Sequence, residues 1–265
     1  MIACGIDAGS RTLKVVLLDA DTRQPVCALA ADQQPRQAEL ASALYRRALG
    51  QAGLSRFEVA KTVATGYGRD LIAEADTAIT EITCQARGVR SLLPAARTLV
   101  DIGGQDSKVI HLDAGGVRDF VLNDRCAAGT GRFLELVAQR LGLPLQDLGR
   151  AAARAAQPAR ITSMCAVFAE TEIVSLLAQG AAVEDVAAGV LQAVADRVAA
   201  LGSRGLAPPV VLTGGTALIA GMDQALARAL GQELVLAPDP QLTAARGAAL
   251  LACDWIRGTM LAADS

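Results

Sequence analysis

The chain makes the same turn twice. Asp7-Ala8-Gly9-Ser10-Arg11-Thr12-Leu13-Lys14 and Asp101-Ile102-Gly103-Gly104-Gln105-Asp106-Ser107-Lys108 each place an aspartate at the end of an apolar run, a glycine next but one, and a lysine seven residues on. Apolar runs follow both, Val15-Val16-Leu17-Leu18 and Val109-Ile110. Strand, glycine-containing turn, strand is a hairpin, not the strand-to-helix turn of a Walker loop. Its repetition predicts two halves that open on the same element. At 265 residues the chain suits two modest domains or one large one.

A hairpin tip of this kind has chemistry available. Gly9 allows close approach of backbone to a ligand. Ser10, Thr12 and Lys14 can donate to phosphate oxygens, and Asp7 can hold a hydrated magnesium ion. A single polar tip is most often only a turn. Two such tips facing each other would clamp phosphates and a metal between domains, where ligand clefts form.

The remaining pattern is α/β. Strands are predicted over 2–7, 15–19, 26–31, 57–64, 117–122, 209–217 and 233–237. Helices are predicted over 36–50, 80–89, 181–201, 223–230 and 243–256. Tyr67 stands between Gly66 and Gly68, which reads as a rigid loop or a plain turn. The expected division is 1–95 and 96–242, with 243–265 packing back on the first part. Hydrophobic residues make up 52% of the chain but aromatics only 3%, so the core must be built from Ala, Leu and Val. The net charge of −2 argues against a general nucleic-acid binder. No apolar run is long enough to span a membrane. Met1 leads directly into a strand without a basic leader, and six cysteines then suggest thiols in a reducing, cytoplasmic setting. The single histidine, His111, removes most Ser-His-Asp schemes and multi-histidine metal sites, and reads as an ordinary strand residue.

Two cysteines stand apart. Cys126 lies in Asn123-Asp124-Arg125-Cys126-Ala127-Ala128-Gly129-Thr130-Gly131, ahead of a helical pattern with Phe133, Leu134, Val137 and Leu141 on one face. Cys165 lies in Thr162-Ser163-Met164-Cys165, ahead of a second helical pattern that stops near Gly180. A helix N-terminus carries partial positive charge and free N–H groups, which favours thiolate, the metal-binding form. One such cysteine would read as a small buried hydrophobe. Two at matched positions read as a functional pair. Cys84, inside a predicted helix, reads as buried and inert.

These motifs resemble the activators of 2-hydroxyacyl-CoA dehydratases and the ATP-binding subunits of benzoyl-CoA reductases. The resemblance covers nearly the whole chain. It rests on Gly5-Ile6-Asp7-Ala8-Gly9-Ser10 with Lys14, Ala64-Thr65-Gly66-Tyr67-Gly68-Arg69, and Asp101-Ile102-Gly103-Gly104-Gln105-Asp106 with Lys108. It continues through Asn123 to Phe133, Cys165 to Glu170, Thr213-Gly214-Gly215 and Gly247-Ala248-Ala249. The Cys126 segment is the most specific, because the hairpins alone indicate only the wider actin, Hsp70 and sugar-kinase superfamily. The resemblance implies two actin-like, ribonuclease H-like domains with ATP and Mg²⁺ between them. On it, Asp7, Asp101, Gln105 and Asp106 are catalytic. Gly9, Ser10, Arg11, Thr12, Lys14, Gly103, Gly104, Lys108, Gly129, Thr130, Gly131, Thr213, Gly214 and Gly215 bind the nucleotide as ATP or ADP. Ile219 stands where the family often has asparagine, so no adenine contact is assigned to it. The resemblance further implies a homodimer holding one 4Fe-4S cluster, with Cys126 and Cys165 of each chain as ligands. One chain supplies two thiolates, such a cluster wants four, and a two-fold axis makes four from two.

The function implied is an ATP-dependent one-electron donor. Its acceptor would be a dehydratase, a benzoyl-CoA reductase core or a double-cubane-cluster protein, with ferredoxin or flavodoxin as electron source. No nucleic acid or membrane partner is expected. Two competing readings are an N-acetylhexosamine-type kinase of the same superfamily and a non-catalytic nucleotide sensor. The kinase has no use for two matched cysteines.

Overall fold

The computed structural model describes residues 1–124, 126–163, 165–202 and 205–258. Arg125 and Met164 of the two cysteine stretches, and 259–265 of the predicted closing segment, lie outside the described residues. The chain divides into two compact units. The first comprises Met1–Ala95, Ala114–Val117 and the chain from Leu242; the second comprises Ala96–Asp113 and Arg118–Gln241.

In the first unit, β1 (Ile2–Ala8), β2 (Thr12–Asp19) and β3 (Pro25–Asp32) form an antiparallel meander. Helix α1 (Gln37–Ala52) carries the chain across to β4 (Val59–Thr65), which lies parallel to β1, and β5 (Thr77–Ala78) follows. The sheet order is β3-β2-β1-β4-β5. β1 is buried on both faces, as a central strand with helices on each side must be. Ile2, Cys4 and Ile6 pack with Leu44, Tyr45 and Ala48 of α1. Ala3 faces the other way, toward α8 (Thr243–Ile256), which packs against α2 (Glu81–Leu92). Small residues allow this contact. A Cβ on Gly247 would stand 1.7 Å from the Cys84 carbonyl oxygen, and one on Gly88 would stand 1.9 Å from that of Thr243.

The second unit repeats the plan. β6 (Thr98–Ile102), β7 (Ser107–Asp113) and β8 (Gly116–Asn123) form the meander, and β9 (Val210–Thr213) lies parallel to β6 with β10 (Leu234–Leu236) beyond it. The order is β10-β9-β6-β7-β8, the same ladder. Its crossover is far larger. Between β8 and β9 run α3 (Gly131–Arg140), α4 (Leu145–Ala152), α5 (Ala166–Ala178) and α6 (Val183–Leu201). Between β9 and β10 runs α7 (Met222–Leu230). Val190, Val194 and Val198 of α6 join Phe133, Leu134 and Val137 of α3 over Val100 and Ile102 of β6.

Some expectations move. Phe57 lies in a short 3₁₀ turn before β4 and is 97% exposed, because a capping box of Ser55 and Glu58 shapes that turn. The 209–217 strand ends at Thr213, where Gly214 takes φ 92° and a 3₁₀ turn over Gly215–Leu218 follows. Helix α4 has no counterpart in the sequence reading. Cys84 is buried within α2 as expected, and burial pushes its thiol up to about 12.

Candidate functional site

Both hairpins pair the aspartate with the lysine directly across the ladder: Asp7 opposite Lys14, and Asp101 opposite Lys108. Two residues on opposed strands point to the same face, so each pair becomes an ion pair. Lys14 Nζ donates to Asp7 Oδ2 at 2.9 Å. Lys108 Nζ lies 3.3 Å from Asp101 Oδ2 and 2.8 Å from Asp106 Oδ2. The parallel strand then supplies a Thr-Gly step beside each aspartate: Thr65 pairs with Asp7, and Thr213 with Asp101. The glycines that follow have positive φ, 86° at Gly66 and 92° at Gly214. A Cβ on Gly66 would fall 2.4 Å from Asp7 Oδ1, and one on Gly214 2.6 Å from Asp101 Oδ1. Thr65-Gly66 and Thr213-Gly214 form a second repeat that the sequence reading does not pair; the sheet register brings each to its aspartate.

The surroundings of the two tips differ. At the first, Gln33 Nε2 donates to the Gly9 carbonyl at 2.8 Å, and Gly68 N–H donates to that of Ala8 at 2.9 Å. Asp7 Oδ1 is buried and has no hydrogen-bond partner among the described residues. At the second, Gly103 N–H donates to the Asp106 carbonyl at 2.9 Å, and Gln105 is exposed at the apex. The tip carbonyls are occupied: Gly131 N–H donates to Gly103 at 2.9 Å and Arg132 N–H to Gly104 at 2.8 Å. These are the first N–H groups of α3, which have no partner within their own helix. Ser107 Oγ, next along β7, donates to the Gly129 carbonyl at 2.8 Å. The Thr130 hydroxyl donates to the Ala127 carbonyl at 2.7 Å. The second hairpin and the turn that carries Cys126 are therefore one hydrogen-bonded unit.

Cys126 opens a 3₁₀ turn, Ala127–Gly129, rather than α3 itself. Asn123 holds it from both sides, accepting from Cys126 N–H at 3.2 Å and donating to its carbonyl at 3.0 Å. Cys165 occupies the cap position of α5, and Ala169 N–H donates to its carbonyl at 2.8 Å. Both thiols are exposed. Cys4, Cys84 and Cys253 are buried, and Cys27 is half-buried with its thiol 3.8 Å from Gln51 Oε1. Burial raises all four of those thiols. Among the described residues, no group of three or more His, Cys, Asp or Glu side chains is placed to hold a metal ion. One chain thus offers two accessible soft donors, both in the second unit.

Nothing in the sequence marks Ser107, Glu172 or Arg197 as parts of this region. Their partners lie 22, 10 and 34 residues away.

Two sheets of one topology, each with an aspartate at the end of its first strand beside a Thr-Gly step, define a two-domain protein of the actin-like class. Residues 4–252 match the model of the BadF/BadG/BcrA/BcrD ATPase family, and the chain belongs to that family. It is similar to an activator of lactoyl-CoA dehydratase from Anaerotignum propionicum, 44% identical over 95% of this chain and 97% of the relative. Its fold is similar to that of an activator of 2-hydroxyisocaproyl-CoA dehydratase from Clostridium difficile with bound ADPNP, with TM-score 0.92, 38% identity and complete coverage of both chains. It is likewise similar to component A of (R)-2-hydroxyglutaryl-CoA dehydratase from Acidaminococcus fermentans, with TM-score 0.92 and 37% identity over 97% of this chain and 99% of that one. No helix among the described residues is long and apolar enough to cross a membrane.

Proposed function

We propose that the chain is an ATP-dependent activator: it hydrolyses ATP to ADP and phosphate and delivers single electrons to a partner iron–sulfur enzyme of the 2-hydroxyacyl-CoA dehydratase or benzoyl-CoA reductase kind. The observation that carries this reading is the hydrogen bonding of the second hairpin to the segment that follows Cys126: the tip carbonyls accept from Gly131 and Arg132, and Ser107 donates to Gly129. Contacts made at that tip reach the cysteine through two backbone hydrogen bonds and one hydroxyl.

In this reading Asp7 and Asp101 orient the magnesium nucleotide, and Gln105 and Asp106 act on the attacking water. Gly9, Ser10, Arg11, Thr12, Lys14, Gly103, Gly104 and Lys108 line the phosphates. Thr213, Gly214 and Gly215 approach the nucleotide from the parallel strand. Gly129, Thr130 and Gly131 complete the tip. The buried, unpartnered Asp7 Oδ1 fits the metal, since Mg²⁺ binds through one or two carboxylates and keeps its waters. Phosphoryl transfer asks little of the protein beyond positioning and electrostatics.

The thiols fit a 4Fe-4S cluster, which supplies one-electron storage when bound. Cys126 and Cys165 are soft and accessible, and two per chain make the required four in a homodimer. Val167 and Phe168, 67% and 68% exposed in the first turn of α5 after Cys165, are apolar surface of the sort that a second copy covers. A reduced ferredoxin or flavodoxin is a suitable electron source. A small-molecule kinase would have no use for these thiols.

Purification under nitrogen tests the reading. A brown dimer with about four irons per two chains, which loses its iron in Cys126→Ser and in Cys165→Ser but keeps it in Cys27→Ser, is the expected result. A chain that stays colourless after anaerobic reconstitution, or either of the first two variants with full iron, overturns it.

A further inference from the structure

Arg197 reaches both cysteine segments from one helix. It sits on α6, whose Val194 and Val198 are locked in the core of the second unit. One guanidinium nitrogen donates to the carbonyl of Ser163, two residues before Cys165. The other donates to the Ala193 carbonyl at 2.7 Å. The guanidinium lies 5.9 Å from the ring centroid of Phe133, in the first turn of the helix that follows Cys126. Its Cβ lies 3.6 Å from the point where a Cβ on Gly129 would sit, so the stem rests against the Cys126 turn. Both hydrogen-bond partners are carbonyl oxygens, and Nε is buried without one among the described residues.

A second side chain, on another helix, grips the same residue. Glu172, on α5, accepts from Thr162 N–H at 2.8 Å and Thr162 Oγ1 at 2.7 Å through Oε1, and from Ser163 N–H at 2.8 Å through Oε2. Ser163 therefore has its N–H held from α5 and its carbonyl held from α6. The chain leading to it has no regular structure and runs along α6: Ala159 N–H donates to the Asp185 carbonyl at 2.8 Å, and a Cβ on Gly189 would stand 1.9 Å from the Ala159 oxygen. Irregular backbone without these anchors would sample many conformations, and a metal ligand at its end would have no fixed place.

We infer that Arg197 is a positioning residue that sets Cys165 against the Cys126 turn, with Glu172 as the other half of the grip. The inference rests on the reading that these two cysteines hold the cluster. A clamp of this kind matters because cluster geometry is set by where the thiolates stand, and the two arrive from segments 39 residues apart in sequence, Cys126 and Cys165. Arg197 reaches both segments.

The test separates the grip from the cluster. In the cluster-free chain, amide hydrogen exchange over 160–166 should quicken on the order of tenfold in Arg197→Met and in Glu172→Gln, the effect of losing one charge-assisted hydrogen bond. Exchange in β1 should be unchanged. In the loaded dimer, iron release to a chelator should quicken in the same two variants, and Arg197→Lys, which keeps a cationic donor, should lie nearer the unaltered protein in both readouts. Unchanged exchange over 160–166 overturns the grip whatever the iron does. Quickened exchange with unchanged iron release overturns its role toward the cluster. Full iron in Cys126→Ser or Cys165→Ser would defeat the ligand reading instead, and the exchange result would stand apart from it. Should Arg197→Met not fold, Glu172→Gln and Arg197→Lys carry the same two measurements.

Discussion

The β1–β2 and β6–β7 hairpins share a register and differ in what they are tied to. Each has Asp opposite Lys, a parallel neighbour ending in Thr-Gly, and a glycine of positive φ pressed on the aspartate. In the first, the lysine has one carboxylate partner and the aspartate keeps a buried oxygen unbonded. In the second, the lysine bridges two aspartates and the tip carbonyls hold the start of α3. The residue before the lysine shows the divergence: Leu13 is buried in the sheet core, while Ser107 reaches the Cys126 turn. In this duplicated scaffold one hairpin is thus tied to loops of its own unit, at Gln33 and Gly68, and the other to the segment that follows Cys126.

The largest expected effect is at the two aspartates. Asp7→Asn and Asp101→Asn should each lower ATP hydrolysis on the order of 10²-fold or more, by weakening metal placement. The comparison adds that Asp7→Asn should be the more destabilising in urea, since it leaves Lys14 without its carboxylate while Lys108 retains Asp106. Equal stability losses would break the contrast; unchanged hydrolysis in both would sink the clamp.

The two glycines probe what the hairpins share. Gly66→Ala and Gly214→Ala should each cost about 3 kcal/mol, combining left-handed strain with overlap on an aspartate oxygen. Gly53 has φ 67° but open space around it, so Gly53→Ala should cost only about 1 kcal/mol. If all three cost the same in urea melts, the close approach to the aspartates carries no weight.

The fold was legible where chemistry repeats over short distances. The hairpins, the closing helix over 243–256 and the isolation of Cys126 and Cys165 all follow from runs of fourteen residues or fewer. What stayed hidden depends on contacts between distant segments. Helix α4 begins after Pro144 without a polar cap, so Pro144 and Asp147 of the first turn are its weak start signals. The Thr-Gly repeat acquires sense only once β4 and β9 lie beside β1 and β6. Asn123, Ser107, Glu172 and Arg197 act on backbone groups, and backbone groups have no sequence signature.

Glu172 gives a pH-dependent contrast with the first unit. Burial raises its carboxyl, but the N–H and hydroxyl groups of Thr162 and Ser163 outweigh that and hold it down to about 2. A carboxyl lowered on folding stabilises above its unfolded value of about 4.3 and loses that contribution as pH falls toward 2. Glu58 of the first unit is also lowered, by the N–H and hydroxyl of Ser55, on a fully exposed turn. Glu172→Gln should therefore flatten the fall in urea midpoint between pH 5 and about 2.5, and Glu58→Gln should leave it nearly as it was. Matching curves for the two variants would contradict the assignment.

The smallest effect on stability carries the most information about coupling. Ser107→Ala removes a buried hydroxyl that donates to Gly129, leaving that carbonyl unpaired, at a cost of about 1 kcal/mol. The two backbone bonds from Gly131 and Arg132 to the tip remain, so the turn should keep its place and the proposed cluster its iron. What should fall is the sensitivity of one site to the other. If nucleotide at the tip acts on the cysteines through this contact, exchanging ADP for a non-hydrolysable ATP analogue should change iron release in the unaltered dimer more than in Ser107→Ala. By linkage, a tenfold change in nucleotide preference between cluster oxidation states corresponds to a shift of about 59 mV for a one-electron couple. Redox titrations with each nucleotide measure that shift directly. A shift present in the unaltered protein and reduced in Ser107→Ala places the coupling in the second hairpin. A shift of the same size in both would put it elsewhere, and the structural difference between the two hairpin tips would then have no part in it.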